Sequence, residues 1–294
     1  MGRDAIESSP SHQNSGARFD GGVAMIQWQG GEWVETTVIE ANHEVVTGQG
    51  VFETLLVSDQ VPQFFKLHWE RLNNSCERLG VRAPAFSVIW AGLDQLLDGR
   101  VCERGRLRIT LFGGVPQQLL IMSLVDVEPW PRSASVIISP WTRNANSAIT
   151  GVKSVSYAEN ALALKWAKDL GFGETLLFNS AGHLAEAATS NILVVLDGEV
   201  VTPPLHSGCL PGITRGLISE FGVREADIDA SGLDRATAAA LLSSTRGVQP
   251  IDAIGERELD VSNACLRQVM DSYRAQVEQD KKNWARTPKG SRPA

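Results

Sequence analysis

Gly151-Val152-Lys153-Ser154-Val155-Ser156-Tyr157-Ala158-Glu159-Asn160 is the stretch on which the reading of this chain turns, and Lys153 is its decisive residue. It lies between an extended run and a helix, among apolar and small neighbours, with no acidic residue within five positions. An amine in such a place is less hydrated than a surface lysine. Desolvation disfavours its charged form and makes it a better nucleophile toward a carbonyl carbon. The local sequence also reads as an ordinary lysine near a helix start, so the choice rests on whether the rest of the chain supplies partners for an imine-forming amine.

At 294 residues the chain is long enough for two domains that each bury a core. Its net charge is −7, with acidic residues spread throughout. That argues against nucleic acid as the main partner, because phosphate binding needs a concentrated basic surface. The one basic cluster, Lys281, Lys282, Arg286, Lys289 and Arg292, stands among Pro, Gly and Ser and reads as a frayed tail over residues 281–294. The four cysteines, Cys76, Cys102, Cys209 and Cys265, are far apart and lack metal-ligand spacing. Neither a zinc site nor a disulfide framework is expected, and a cytoplasmic, reducing setting is the simplest one. No apolar run reaches membrane-spanning length. Residues 1–19 are polar and Ser-rich, without the apolar core of a signal peptide, and are read as disordered.

Along the chain, Val23–Trp28 and Trp33–Val38 flank a Gly-containing turn and predict a hairpin. Gly48-Gln49-Gly50 leads into a β-prone run, Val51–Val57, followed after a turn by Val61–Phe65. Helices are predicted over Leu67–Leu79 and Phe86–Leu97, and a second hairpin over Arg106–Phe112 and Leu119–Val125. The Pro-containing segment 128–133 marks a boundary between a small α+β domain, 20–127, and a larger one, 134–280. In the larger domain Ser135–Ser139, Thr175–Phe178 and Asn191–Leu196 read as strands. Tyr157–Leu170, a helix from Pro211 to about Phe221, and Ser262–Gln279 read as helices. Strands in hairpin-spaced groups with helices between the groups predict α+β rather than a regular βαβ winding.

Three further stretches could serve Lys153. Leu210-Pro211-Gly212-Ile213-Thr214-Arg215 opens a helix whose first turn offers free backbone N–H groups and a Thr hydroxyl, a cup for one phosphate, though a Thr there also reads as a plain cap. Neither a dinucleotide fingerprint nor a P-loop is present, so a phosphate held there belongs to a smaller cofactor. Glu186 lies in a small-residue stretch after a strand, where a poorly solvated carboxylate wants a cationic partner such as a protonated ring nitrogen. Arg71 sits in His68-Trp69-Glu70-Arg71-Leu72. A lysine that forms an imine, a carboxylate for a pyridinium nitrogen, and a helix N-terminus with an arginine for one phosphate together fit pyridoxal 5'-phosphate (PLP).

The chain resembles the class IV (fold type IV) PLP enzymes, which include branched-chain aminotransferases, D-amino-acid aminotransferases and aminodeoxychorismate lyases. The likeness runs from about Val23 to Gln279. It rests on Gly50-Val51-Phe52-Glu53-Thr54, His68-x-x-Arg71-Leu72, Gly151-x-Lys153-Ser154, Glu186 with Asn191, Thr202-Pro203-Pro204, Leu210–Arg215 and Ser244-Thr245-Arg246-Gly247-Val248-Gln249-Pro250. The resemblance implies a two-domain α+β fold with the cofactor between the domains, in a homodimer. It implies Lys153 as the Schiff-base lysine and proton carrier, Glu186 as partner of the pyridine nitrogen, and phosphate contacts from Arg71, Ile213, Thr214 and Thr245. Ala158 stands where branched-chain enzymes carry a tyrosine, with Tyr157 one position earlier, and Leu56 stands where they carry an arginine. These departures lean toward conversion of 4-amino-4-deoxychorismate to 4-aminobenzoate and pyruvate, with an amino-acid transaminase as the alternative. Thr54, Arg108 and Arg246 are the candidate substrate contacts, the arginines because a dicarboxylate needs cations. The loop after Phe112 is short and lacks the arginine that family members usually carry there, which leaves a PLP-binding protein without turnover as a third reading.

Overall fold

Arg104–Phe112 (β5) alternates exposed or half-buried, mostly polar residues with buried ones, whereas Gly50–Ser58 (β3) is buried almost throughout; the two pair antiparallel along their whole length, from Gly50 against Phe112 to Ser58 against Arg104. They are the centre of a six-stranded sheet in a computed structural model that describes residues 24–38, 42–114 and 118–286. The sheet is completed by β1 (Ala24–Gln29), β2 (Glu32–Glu35), β4 (Val61–Pro62) and β6 (Leu119–Asp126), in the order β2-β1-β6-β5-β3-β4. A short helix, α1 (His43–Thr47), precedes β3. The helices α2 (Phe65–Leu79) and α3 (Phe86–Leu97) follow β4 and cover one face. Leu72 and Cys76 of α2, Ile89 and Leu93 of α3, and Leu55, Leu107, Ile109 and Met122 of the strands bury one core there. The opposite face carries Phe52, Thr54, Arg106 and Arg108, a set too polar to form a core.

Residues 127–133 form neither helix nor strand and lead to the second sheet. Its elements are β7 (Ala134–Ile138), α4 (Ala158–Asp169), β8 (Glu174–Phe178), β9 (Leu184–Ala187), β10 (Asn191–Leu196), β11 (Glu199–Thr202), α5 (Ile213–Ser219), β12 (Arg224–Glu225), α6 (Ala230–Arg235), β13 (Ala238–Ser243), β14 (Gly247–Ile254), β15 (Arg257–Glu258) and α7 (Ala264–Arg286). The strand order is β12-β11-β10-β13-β14-β7-β8-β9, with β15 against β14. A tight turn joins β9 to β10, closed by the Ala187 N–H donating to the Ser190 carbonyl at 2.7 Å. Neighbours in sequence therefore meet from distant places in the strand order, and the sheet curls on itself. Side chains alternate across it. Ile192, Val194 and Leu241 fill the inside of the curl, while Leu193, Val195 and Leu242 pack outward on Ile218, Leu266 and Tyr273.

Several elements depart from the sequence expectation. Glu186, read from the sequence as lying in a small-residue stretch after a strand, is itself within a strand, β9, all four residues of which are buried. The strands β11, β13 and β14 were not foreseen. The last helix runs on to Arg286, so the expected frayed tail is helical over residues 281–286. Lys281 pairs with Asp59 at 3.0 Å, and Trp284 lies 5.1 Å from Trp90 and 6.3 Å from Phe65, centroid to centroid. Aromatic packing against the first sheet's helices is what carries the helix past Gln279. Residues 1–19, Lys289 and Arg292 lie outside the described residues, as do residues 115–117 of the short loop. Cys76, Cys102 and Cys209 are buried and Cys265 is half-buried; all are free thiols. No helix among the described residues is long and apolar enough to cross a membrane.

Candidate active site

Lys153 reaches its place because its segment is added as a short extended strand to the start of β3. The Phe52 N–H donates to the Lys153 carbonyl and the Val155 N–H to the Gly50 carbonyl, both at 2.9 Å, around a bridge between Val51 and Ser154. The Ser156 hydroxyl donates to the Gly48 carbonyl. A Cβ on Gly48, whose φ is +69°, would sit 2.7 Å from that hydroxyl, so the approach needs glycine. Lys153 thus stands where the two sheets meet, beside a cavity of about 600 Å³ lined from both. Among the described residues no hydrogen bond or ion pair holds its Nζ, which lies 4.5 Å from the centre of the Phe52 ring. Burial is the main force lowering its pKa, to about 8; the Arg71 charge adds to this, and Glu53 and Glu186 oppose it.

Glu186 faces the same cavity from β9. Its Oε2 accepts the Leu210 N–H at 2.9 Å and the Asn191 side-chain amide at 3.3 Å, and Arg143 Nη2 stands 3.1 Å from Oε1, outside hydrogen-bond geometry. Burial raises its pKa, against the Arg143 charge, the Leu210 N–H and the Lys153 charge. Asn191 also donates to the Leu210 carbonyl at 2.9 Å, tying the glutamate to the turn before α5. That turn passes so close that a Cβ on Gly212 would fall 1.9 Å from Asn191 Oδ1. Tyr157 lines the cavity on the other side, donating its hydroxyl to the Ala188 carbonyl at 3.1 Å with its ring edge-on to Phe52. Burial, helped by the Glu186 and Glu174 charges, pushes its pKa up.

The expected phosphate residues converge. Ile213 and Thr214 open α5, whose cap residue Gly212 supplies no side-chain hydrogen bond, so the first N–H groups of the helix are open to the cavity. The Thr214 hydroxyl oxygen is buried without a hydrogen-bond partner, the neighbouring Tyr273 hydroxyl falling outside bonding geometry, and Ser190 Oγ on the cavity wall is also unpartnered. Arg71 enters from α2, with Nη1 donating to the Pro211 carbonyl at 3.2 Å. Thr245 also lines the cavity, its carbonyl accepting from Arg104 at 3.2 Å. Among the described residues there is no cluster fit for a metal ion.

The expected substrate contacts divide. Thr54 lines the cavity. Arg108 is not on its wall: its guanidinium stacks on Phe52 at 3.9 Å and donates to the Thr110 hydroxyl at 3.2 Å. Arg246 is on the wall but engaged, donating to Gln249 at 2.7 Å, stacked on Trp130 at 3.7 Å and 4.0 Å from Glu174. The cation that sequence reasoning passed over is Arg106. It is an exposed residue, opposite Leu56 in the register, that lines the cavity and has no ion pair among the described residues. Alternation along β5 placed Arg106 on the same face as Arg108, a signal that was readable. Arg143 was missed as well, and nothing in Trp141-Thr142-Arg143 announces it.

Comparisons with known proteins bear on the family and the fold. The family model for amino-transferase class IV matches residues 50–254. A Rickettsia bellii protein named "Probable branched-chain-amino-acid aminotransferase" is 30% identical over 213 residues, 66% of this chain and 73% of that one. Alignments with the curated relatives extend over 41% to 84% of those proteins' lengths. A Legionella pneumophila structure described as "Putative 4-amino-4-deoxychorismate lyase" superposes with a TM-score of 0.76 at 23% identity, over 82% of this chain and 96% of that one. A Brucella abortus aminotransferase bound to PLP does so with a TM-score of 0.76 at 23% identity, over 87% and 99%. The fold expected from the resemblance is the fold of these structures. With the family model running from β3 through β14, across the segment that carries Lys153, the chain belongs to the class IV amino-transferases.

Proposed function

We propose that this is a PLP-dependent enzyme acting on an amino compound with a second carboxylate, and specifically a lyase that converts 4-amino-4-deoxychorismate to 4-aminobenzoate and pyruvate. The residues fit the cofactor. Two unpartnered buried hydroxyls, Thr214 and Ser190, the open start of α5 and the Arg71 guanidinium all line the one cavity and supply donors for a phosphate there. Lys153 and Glu186 share that cavity, for an aldehyde carbon and a ring nitrogen. When bound, PLP supplies an electron sink for the pair released as a substrate Cα–H bond breaks. Glu186, held by the Leu210 N–H and the Asn191 amide with the Arg143 charge nearby, would stabilise a protonated ring nitrogen of the bound cofactor. Lys153, with its pKa near 8, takes the Cα proton as a neutral amine. For the lyase reaction the enolpyruvyl C–O bond would then break as the ring becomes aromatic, and the Lys153 ammonium would return its proton to the departing enolate, giving pyruvate. The reaction needs no oxidant or reductant.

The observation that supports a carboxylate-rich substrate is Arg106, a cation on the cavity wall without a counter-ion among the described residues. With Thr54, Thr245 and Arg246 it makes that wall polar, ill suited to a branched aliphatic side chain. Transamination is the second reading, supported by the name of the Rickettsia bellii relative. The protein is further proposed to work as a homodimer in the cytoplasm. Borohydride reduction of the yellow protein should fix the label on Lys153; a label elsewhere, or none, removes both enzyme readings. Aminodeoxychorismate supplied without an amino acceptor should release pyruvate. No pyruvate, but conversion of the cofactor to its amine form by glutamate or alanine, decides for the transaminase. Inertness toward all of them, with PLP bound, leaves a binding protein.

A further inference from the structure

Glu53 is an oddity in its strand. Val51, Leu55 and Val57 point from the same face of β3 into the apolar core under α2 and α3, and Glu53 points there with them, fully buried. An acid in that place is strongly unfavourable unless it is paired and hydrogen-bonded. Two residues one turn apart on α2 supply the partners. Arg71 donates Nε to Oε1 at 2.8 Å and Nη2 to Oε2 at 2.7 Å, a bidentate fork, and His68 Nδ1 lies 2.7 Å from Oε2. Burial pushes the carboxyl pKa up, but the Arg71 charge and these hydrogen bonds more than offset it and hold it at about 2. Burial lowers the His68 pKa, so its ring is neutral and donates through Nδ1.

A guanidinium has five N–H donors. Here Glu53 takes two of them and the Pro211 carbonyl a third, which leaves two. Gripped at three points, the planar group cannot turn about its last bond, and its unused N–H groups stay at the wall of the cavity that the unpartnered Thr214 hydroxyl also lines. We infer that Glu53 is a positioning residue for phosphate recognition: through the fork it fixes the direction in which Arg71 presents its remaining donors to the phosphate of the cofactor. This rests on the PLP reading above. A carboxylate with no such role would serve only to neutralise a buried arginine between α2 and β3, and the two roles predict different behaviour toward the phosphate.

The test compares PLP with pyridoxal, which lacks only the phosphate, as ligands of the full-length protein stripped of cofactor, followed by absorbance. The quantity read is the ratio of the two dissociation constants. In Glu53→Gln the PLP preference should fall about tenfold or more, the loss expected when a charge-assisted hydrogen bond is misdirected, while pyridoxal affinity stays within about twofold. In Glu53→Asp, which keeps the charge but withdraws the carboxylate by one methylene, the preference should fall about threefold or more. This second variant decides the matter should the amide fail to fold. A preference unchanged or increased in a folded variant overturns the positioning role and leaves the cofactor reading standing. A wild-type protein that binds no PLP overturns both.

Discussion

Lys153 combines a charge with a site that resists it, and the consequence is a pH dependence. Only the neutral amine attacks the cofactor's aldehyde, and burial brings its pKa down to about 8. The rate of PLP capture by the stripped protein should therefore be low below pH 7, rise through about 8 and level off above it. A rise centred near 10, as for an exposed lysine, would show that the side chain is solvated. Glu186 is in the complementary position, a carboxylate whose proton affinity burial raises until a cation faces it. Glu186→Gln should retain PLP but lose about 10²-fold or more in turnover, since a neutral amide stabilises a protonated ring less well. Turnover within a few-fold of wild type would break the pairing.

At the scale of elements, the turn into α5 is held by contact with β10 rather than by a capping side chain. Gly212 passes Asn191 with no room for a Cβ, and Asn191 in turn ties Glu186 to Leu210. Gly212→Ala should displace the amide, costing roughly 2 kcal/mol of stability and weakening PLP binding at least tenfold; a variant that melts and binds like wild type would mean the turn is free to shift. This element was legible before any coordinates, because Pro and Gly before Ile213-Thr214 state a helix start. The hairpin of β5 and β6 was legible for a similar reason, its alternation being uninterrupted. The strands β11 and β13 were not, since Glu199–Thr202 is short and Ala238–Ser243 is mostly alanine and leucine, composition that suits helix as well as strand until pairing decides. In the sequence Glu53 stands out only as part of the Gly50–Thr54 motif. Its place in the Val51, Leu55, Val57 row was the overlooked sign that a buried acid required an arginine.

At the scale of the molecule, the cavity is a joint. Thr54 reaches it from the first sheet and Arg71 from the helix α2 on that sheet, Glu186 and Thr214 come from the second sheet's side, and Lys153 from the segment after β7 that pairs back onto β3. The helix α7 bridges the two a second time, its Asp280 accepting the Phe64 N–H at 2.8 Å and its Trp284 packing on α2 and α3. A ligand in such a joint binds only when both sides are folded. At a free concentration one hundred times its dissociation constant, PLP should add about 2.7 kcal/mol to the unfolding free energy, a rise of about 5 °C or more in Tm. Circular dichroism and tryptophan fluorescence melts should then coincide. Two separated transitions in the loaded protein would show sheets that unfold independently.

The four thiols give the molecule a built-in handle. Cys76 and Cys209 are buried with thiol pKa values pushed up to about 11, and burial raises that of Cys102 as well. Thiolates are the reactive form, so alkylating reagents meet three nearly inert sulfurs and one accessible one, Cys265 in the first turn of α7. Brief treatment of the native protein with a maleimide dye should attach one fluorophore per chain, and treatment in denaturant should attach four. Single-site labelling thus comes without engineering a cysteine-free background, and it places the dye on the second sheet's side of the helix that spans the joint.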